Sequence, residues 1–415
     1  MRKLWVMGVM LAVITAGQGF AAEAEEEMRL LRRQMAEQQK TMKVLEKRMH
    51  ALEGKLEAKG KEDGFEAKDI YDNGFYIRSK DKRFSLVMNG FTQFRYTLSE
   101  PEKGSTSQTF DVALARLALS GNVFDPKIGY FLQLQGSTFG DTNGVTMLDW
   151  WMQYRFSPDL NVLGGRFILP YSRQFYTHPG NLLFTDLSEA DFAFNLPRTI
   201  GAQLAGKVGR VAYHVAVANS IRALDSGGQQ NFGEEIAVLG RLEWDILDPY
   251  GYLETSPKPA NSPQLSVGVA AAFNPIDGAS TFQNVLPDDR TTNVTVDAGF
   301  RWKRLSLQAA GHYRNNHHGT PGMSDSDDWG YYAQIGYYLI PEKLELGGRI
   351  SGVDFDQPNA PKVLGDTTEY TLGFNYYLYG HNVKLQTDYS FLDRDPFTGS
   401  RRGDHRFRVQ TQILF

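Results

Sequence analysis

The sequence predicts an all-β protein: a 16-stranded antiparallel transmembrane β-barrel preceded by an N-terminal α-helical coiled coil. Three observations carry this prediction. The last ten residues, RFRVQTQILF, alternate strictly, with Phe407, Val409, Thr411, Ile413 and Phe415 on one side and Arg406, Arg408, Gln410 and Gln412 on the other. A strand sends successive side chains to opposite faces, so this is a ribbon with one apolar and one cationic face. Sixteen segments of the same period follow residue 83, and their connections alternate between short and long. Finally, the chain opens on an export signal and afterwards never approaches the ~20 continuous apolar residues of a spanning helix. Any passage through a membrane must then be made by strands.

Composition agrees with that class. The 415 residues include 41 glycines, 13% aromatics and no cysteine, and the formal charge is only −4. Many strands joined by tight turns need glycine and aromatics, and an oxidising compartment disfavours a stray thiol. Nothing in the charge balance points to nucleic acid.

From the N-terminus, Arg2 and Lys3 precede an apolar run from Leu4 to Ala16, then Gly19 and Ala21 in the −3 and −1 places of a cleavage site. Residues 1–21 are predicted to be a signal peptide, the apolar core being too short for a membrane anchor. Residues 22–60 hold Met28, Leu31, Met35, Gln38, Met42, Leu45, Met49, Leu52 and Leu56 at alternating steps of three and four. This 3.5-residue repeat is an a/d seam and predicts a periplasmic, self-associating coiled coil of two or three strands. Residues 61–82 are expected to be a polar linker.

Residues 83–415 should form the barrel, with strands near 83–98, 109–121, 127–137, 145–156, 161–168, 199–208, 211–219, 235–245, 264–274, 290–303, 305–314, 329–340, 344–353, 368–379, 383–392 and 405–415. Most approach the ~9–11 residues of a tilted spanning strand. The joint at 246–263 is too long for its place among the short turns, and is either a periplasmic excursion or a miscounted strand. One face collects Trp150, Met152, Val296, Tyr331, Ile335, Leu372, Phe374 and Tyr389, and the other Gln93, Gln133, Gln203, Gln308, Gln334, Asn375 and Gln386. A soluble barrel would bury the apolar face, but sixteen strands enclose too wide an interior to fill with side chains. The apolar face should therefore meet lipid, and Phe407 to Phe415 with it.

Parity places Arg83, Arg95, Arg116, Arg155, Arg166, Lys207, Arg241, Arg301, Lys303, Arg314, Arg349, Lys384, Arg406 and Arg408 inward, against the anions Asp149, Glu235, Glu243, Asp245, Asp297, Glu345 and Asp388. The excess is cationic although residues 82–415 hold 29 Lys plus Arg and 34 Asp plus Glu. A narrow aqueous passage with low-dielectric walls focuses such a field, so the lumen is expected to favour anions; the alternative is that these cations balance nearby carboxylates. The longest connection, Leu169 to Arg198, is too apolar for an exposed loop, with Phe175, Leu182, Leu183, Phe184, Phe192 and Phe194. It should either fold into the lumen, bringing Arg173 and Arg198 to the passage, or pack between subunits.

The stretches FDVALARLALSGNV, LGGRFILPYSRQ and FTDLSEADFAFNLPRTIGAQLAGKV resemble the second strand, fifth strand, long loop and sixth strand of the phosphate-selective porins O and P, and the likeness extends over the mature chain. The resemblance implies a homotrimeric outer-membrane channel, its long loop folded inward and basic residues lining an anion path. The expected partners are further copies of the chain, outer-membrane lipid and lipopolysaccharide, and small anions as permeants. The family's paired arginines before the AR of the second strand are replaced by Ala113 and Leu114, and Ile168 stands where the fifth-strand pattern has lysine. Anion preference is still expected, tight phosphate selection is not. Rival readings are a non-selective general porin, an outer-membrane barrel enzyme and a cell-wall tether. For the enzyme reading, the sequence offers only His317 and His318 beside SDSDD, which an exposed polar loop explains; no nucleophile, metal or nucleotide motif is visible, and no cofactor is expected.

Overall fold

A computed structural model describes residues 29, 32–49, 65–70, 74–136, 144–219, 236–276, 289–317, 324–356, 365–396 and 400–415. The signal peptide, much of the heptad seam, Glu235 and His318 lie outside them.

The chain divides into two units, residues 1–66 and 67–415. In the first, residues 32–49 form a helix (α1). Its seam residues Met35, Met42, Leu45 and Met49 are all exposed, an apolar stripe left uncovered within the unit.

The second unit holds the barrel. After the short strands Phe65–Ile70 (β1) and Gly74–Ser79 (β2) come Ser85–Pro101 (β3), Ser107–Val123 (β4), Asp125–Gly136 (β5), Val145–Ser157 (β6), Leu160–Ile168 (β7), Arg198–Val208 (β8), Val211–Asn219 (β9) and Ile236–Asp245 (β10). Ala260–Ile276 (β11), Asp289–Lys303 (β12), Leu305–His317 (β13), Ser326–Ile340 (β14), Leu344–Asp354 (β15), Asp366–Tyr379 (β16), Val383–Asp395 (β17) and Arg402–Leu414 (β18) complete it. β3 to β18 are the sixteen predicted strands, each ending within four residues of the expectation. Each is antiparallel to the next, and β18 returns to β3, from Asp404 opposite Pro101 to Leu414 opposite Phe91. Closure gives each of β3 to β18 a partner on both sides, which a sheet surrounded by lipid requires. The C-terminal Phe415 prolongs the seam, exchanging both backbone hydrogen bonds with Gly90 at 2.9 Å. Its ring stands beside Phe75, 6.0 Å away.

The expected linker is not wholly a linker. β2 lies inside residues 61–82 and pairs with β3 from Phe75 opposite Met88 to Arg78 opposite Ser85. Phe75 and Ile77 alternate with polar neighbours, a pattern too short to stand out beside the Gly- and Asp-rich residues before it.

The pleat sorts the faces as expected. Along β14, Trp329, Tyr331, Ile335, Tyr337 and Leu339 are exposed on the outside, while Asp328, Tyr332, Gln334 and Tyr338 are buried on the inside. Along the last strand, Phe407, Ile413 and Phe415 are exposed and Arg408, Gln410 and Gln412 buried. An outward apolar band with a polar interior is the arrangement a spanning barrel needs.

Candidate functional site: the lumen

The long loop folds into the barrel. Ser172 caps the turn Arg173–Tyr176 (α2), His178 caps a 3-10 turn at Pro179–Asn181, and Ser188 caps Glu189–Phe194 (α3), accepting from the Asp191 amide. Glu189 and Asp191 stand at the positive end of the short helix, while the Ser188 N–H is taken by the Gln174 amide oxygen. The loop's apolar residues explain why it turns inward. Leu169, Tyr171 and Leu196 pack with Phe167 and Leu239 against Ala216, Ala237, Ala270 and Ala272, small residues on the inner wall of β9 to β11. Removing a Leu or Phe side chain from water contributes ~1.5–3 kcal/mol. Two slots in the wall hold aromatic anchors. Phe184 lies where a Cβ on Gly373 or Gly347 would stand, 2.9 and 3.1 Å from its ring, and Phe194 covers Gly330 in the same way at 2.6 Å.

Most of the predicted cations hold this insertion in place. Arg173, on α2, donates to Asp297 at 2.6 Å and to Ser266 at 3.1 Å; Arg241 reaches the other Asp297 oxygen at 2.7 Å, Glu243 at 2.6 Å and the Tyr171 carbonyl at 2.7 Å. Arg349 pairs with Glu369 at 2.7 Å, donates to the Asp186 and Leu187 carbonyls, and lies 4.5 Å over Phe184. Arg314 pairs with Asp328 at 2.7 Å and bonds the Ala193 carbonyl. Lys384 bonds the Leu182 carbonyl at 2.8 Å. Arg95 and Arg408 share Asp186 at 3.0 and 3.3 Å, Arg408 also holds Asp388 at 2.8 Å, and Arg406 meets Glu189 at 3.3 Å. Burial of Asp186 would raise its carboxyl pKa, but the guanidinium groups of Arg95, Arg408 and Arg406 outweigh it and hold the pKa below the ordinary value. Lys207 pairs with Asp245 at 3.2 Å and Arg198 with Asp149 at 3.0 Å.

The joint at 246–263 is no miscounted strand. It also folds inward, from the turn end: Tyr250, Glu254 and Thr255 are buried, and Arg301 donates to the Tyr250 and Leu253 carbonyls.

Three predicted positions differ. Arg166 stands opposite Trp150, which is 59% exposed on the outer face, while its neighbour Phe167 is buried inside. Parity counted along β7 without register assigned the wrong side. Arg83 and Lys303 sit exposed beside turns rather than in the lumen, Arg83 bonding the Phe124 carbonyl and Lys303 lying over the Trp302 ring.

The inner wall is unequal around its circumference. From β10 to β18 most of its polar residues are buried beneath the two inward segments, Arg406 and Asp245 being partly exposed. On β4 to β8, Gln133, Asp149, Thr199 and Gln203 are buried too, but Arg116, Ser120, Gln135, Gln153 and Lys207 keep partial exposure. Among the described residues Arg116 donates only to the Gln135 amide oxygen at 2.7 Å. Arg155 lies exposed at the turn end of β6 beside the Gln153 side-chain amide. Burial together with Arg116, Lys384 and Arg198 pushes the His178 imidazole down to about 4, so the loop facing this arc presents it neutral at pH 7. Of the two positions where arginines were expected from the resemblance, Leu114 faces inward opposite Gln93, and Ala113 is the bulged residue between Leu114 and Val112.

The family model of the phosphate-selective porins O and P matches residues 87–415. The chain belongs to that family. This makes it an outer-membrane porin, a channel rather than an enzyme. The porin's barrel resembles three solved structures, each of low identity and therefore informative on fold alone. The outer membrane channel DcaP of Acinetobacter baumannii matches with 14% identity and a TM-score of 0.61, over 83% of this chain and 100% of that one. An anion-selective porin from Comamonas acidovorans gives 12% and 0.57, over 80% and 100%. OmpF of Salmonella typhi, in complex with daunomycin, gives 12% and 0.58, over 80% and 98%. No curated protein matches the porin in sequence.

Sequence reasoning missed several lumen groups. Glu369 and Asp328 share the inward parity of Asn375 and Gln334 and were legible by that rule. Asp186, Glu189, Asp191 and Glu254 act in the lumen only because two connections fold inward, and no periodicity encodes that.

Proposed function

We propose that the porin conducts small anions along the β4 to β8 arc of its inner wall, with Arg116 the leading contact. The observation that carries this is the contrast between Arg116, whose partner is a neutral amide on a partly exposed wall, and the many other inward cations neutralised by carboxylates. Asp149, the carboxylate that acts on Arg116, is bonded to Arg198 instead, and a guanidinium bonded only to a neutral amide in a narrow passage attracts anions and repels cations. Phosphate should bind weakly. Leu114 occupies an inward place where a basic residue would add a charge-assisted hydrogen bond of ~1.5–3 kcal/mol, and each ~1.4 kcal/mol is tenfold in affinity.

The test is the reversal potential of single channels in a potassium chloride gradient. Chloride preference is expected, moving toward potassium in Arg116→Glu, with half-block by phosphate at or above the millimolar range. A zero potential would make the protein a non-selective porin, and micromolar phosphate block would restore the tight site.

The assembly is a homotrimer, exported with loss of residues 1–21 and carrying its helix as a periplasmic coiled coil over 22–60. The exposed seam Met35, Met42, Leu45 and Met49 supports the coiled coil. Deleting 22–60 should loosen the trimer in detergent, measured as mass, while leaving conduction. A mass unchanged by the deletion at every concentration would remove the coiled coil from assembly.

A further inference from the structure

The two inward segments come from opposite ends of the barrel and meet inside it. The turn-end segment, residues 246–263, is tied to the wall on several sides. Besides the two carbonyls held by Arg301, His381 contacts the Thr255 carbonyl at 2.9 Å, and the Thr255 hydroxyl bonds Glu345 and, at 3.1 Å, Tyr338. These contacts reach β12, β14, β15 and the turn after β16.

What the segment offers the long loop is one carboxylate. Glu254, 2% exposed, accepts from the Gln174 amide at 2.7 Å with one oxygen and from the Leu183 backbone N–H at 2.6 Å with the other. Gln174 in turn accepts from the Ser188 N–H at 2.9 Å and the Ser188 hydroxyl at 2.8 Å, and Ser188 is the N-cap of α3. A single side chain from the turn end thus joins α2, the Leu182–Phe184 turn and the start of α3. With Glu254 removed, the buried Leu183 N–H would lose its acceptor, which buried polar groups rarely tolerate, and the Gln174 amide would keep only the longer bond to Gln334 at 3.2 Å.

We propose that segment 246–263 is a strut that fixes the width of the passage from the turn end, and that Glu254 is the positioning residue through which it holds the long loop against the wall. Its role in permeation rests on the reading of the lumen as the conducting path.

The chain's lack of cysteine gives a direct test. Ala190 lies on α3 with no exposure, so Ala190→Cys places one small thiol under the loop. In the otherwise unaltered full-length protein this thiol should resist a membrane-impermeant methanethiosulfonate reagent. With Glu254→Ala added, it should react roughly tenfold faster or more, because reactivity follows the population of the released segment, and single-channel conductance should rise. If Glu254→Ala does not reach the membrane as a heat-modifiable barrel, Glu254→Gln, which removes one of the two acceptors, carries the same test. Thiol reactivity and conductance equal to those of the parent would overturn the strut. A parent that fails to conduct while its thiol responds to Glu254→Ala would overturn the conducting path and leave the strut standing.

Discussion

The β10 to β18 arc and the β4 to β8 arc of the lumen are built from the same kinds of residue and do different work. On the first, Arg241, Arg349 and Arg408, with Arg173 of α2 packed against them, are each within 5% of full burial and bonded to carboxylates and loop carbonyls. On the second, Arg116 bonds the Gln135 amide oxygen and Arg155 lies exposed beside the Gln153 amide. An inward arginine is therefore not in itself a permeant contact. Whether it steers anions or seats a loop depends on the carboxylate opposite it and on what lies over both. Breaking a buried ion pair by removing one partner is far costlier than removing an exposed charge, so the two arcs should answer mutation in different measurements.

The largest effect is expected at Asp297. It holds Arg173 and Arg241 together at 2.6 and 2.7 Å, and all three are buried. Asp297→Ala leaves two guanidinium groups facing each other beneath the loop, a loss of ~3–5 kcal/mol for a broken buried pair. The temperature at which the folded band converts on a gel should fall, and conductance should rise as α2 leaves its seat. Arg116→Ala should do the reverse, leaving that temperature nearly unchanged and moving the reversal potential. If Asp297→Ala changed only selectivity, or Arg116→Ala mainly stability, the division of the wall would be wrong.

The barrel was legible because lipid outside and water inside impose one rule on every strand, and period two records it sixteen times. The lumen was legible only in part. Parity found Arg95, Arg241, Arg349 and Arg408 on the inner wall, and with them the strand partners Glu243, Asp297 and Asp388, but Asp186 and the loop carbonyls they also hold lie on a segment that obeys no period. Asp186 and Glu254 are ordinary loop residues until Leu169, Phe184 and Phe194 pull one connection inward and Arg301 holds the other. Parity counted an excess of inward cations because it left out carboxylates that answer them, Glu369 and Asp328 on the wall and Asp186 and Glu189 on the inward loop. Arg166 shows the other failure: one strand of nine residues, with Gly165 at φ +136 in its middle, gives too little alternation to fix a face without its neighbours.

The smallest expected effect concerns pH and the sealed arc. Asp191, on α3, is buried with its carboxyl bonded to Ser172 and 3.8 Å from His312; Glu254 and Asp297 add negative charge nearby and Arg349 positive. Burial pushes its carboxyl up to about 7, against ~3.9 for a free aspartate. The seated loop thus keeps a proton that the released loop gives up, so its hold is fully present below about pH 4, weakens as pH rises, and is lost through about 7. Open-channel noise, and the reactivity of the Ala190→Cys thiol after correction for the reagent's own pH dependence, should both rise across that window and level off above it. Asp191→Asn cannot ionise and should flatten the response without abolishing conduction. An unaltered pH profile in Asp191→Asn would assign the response to another group and leave the sealed arc indifferent to protons at α3.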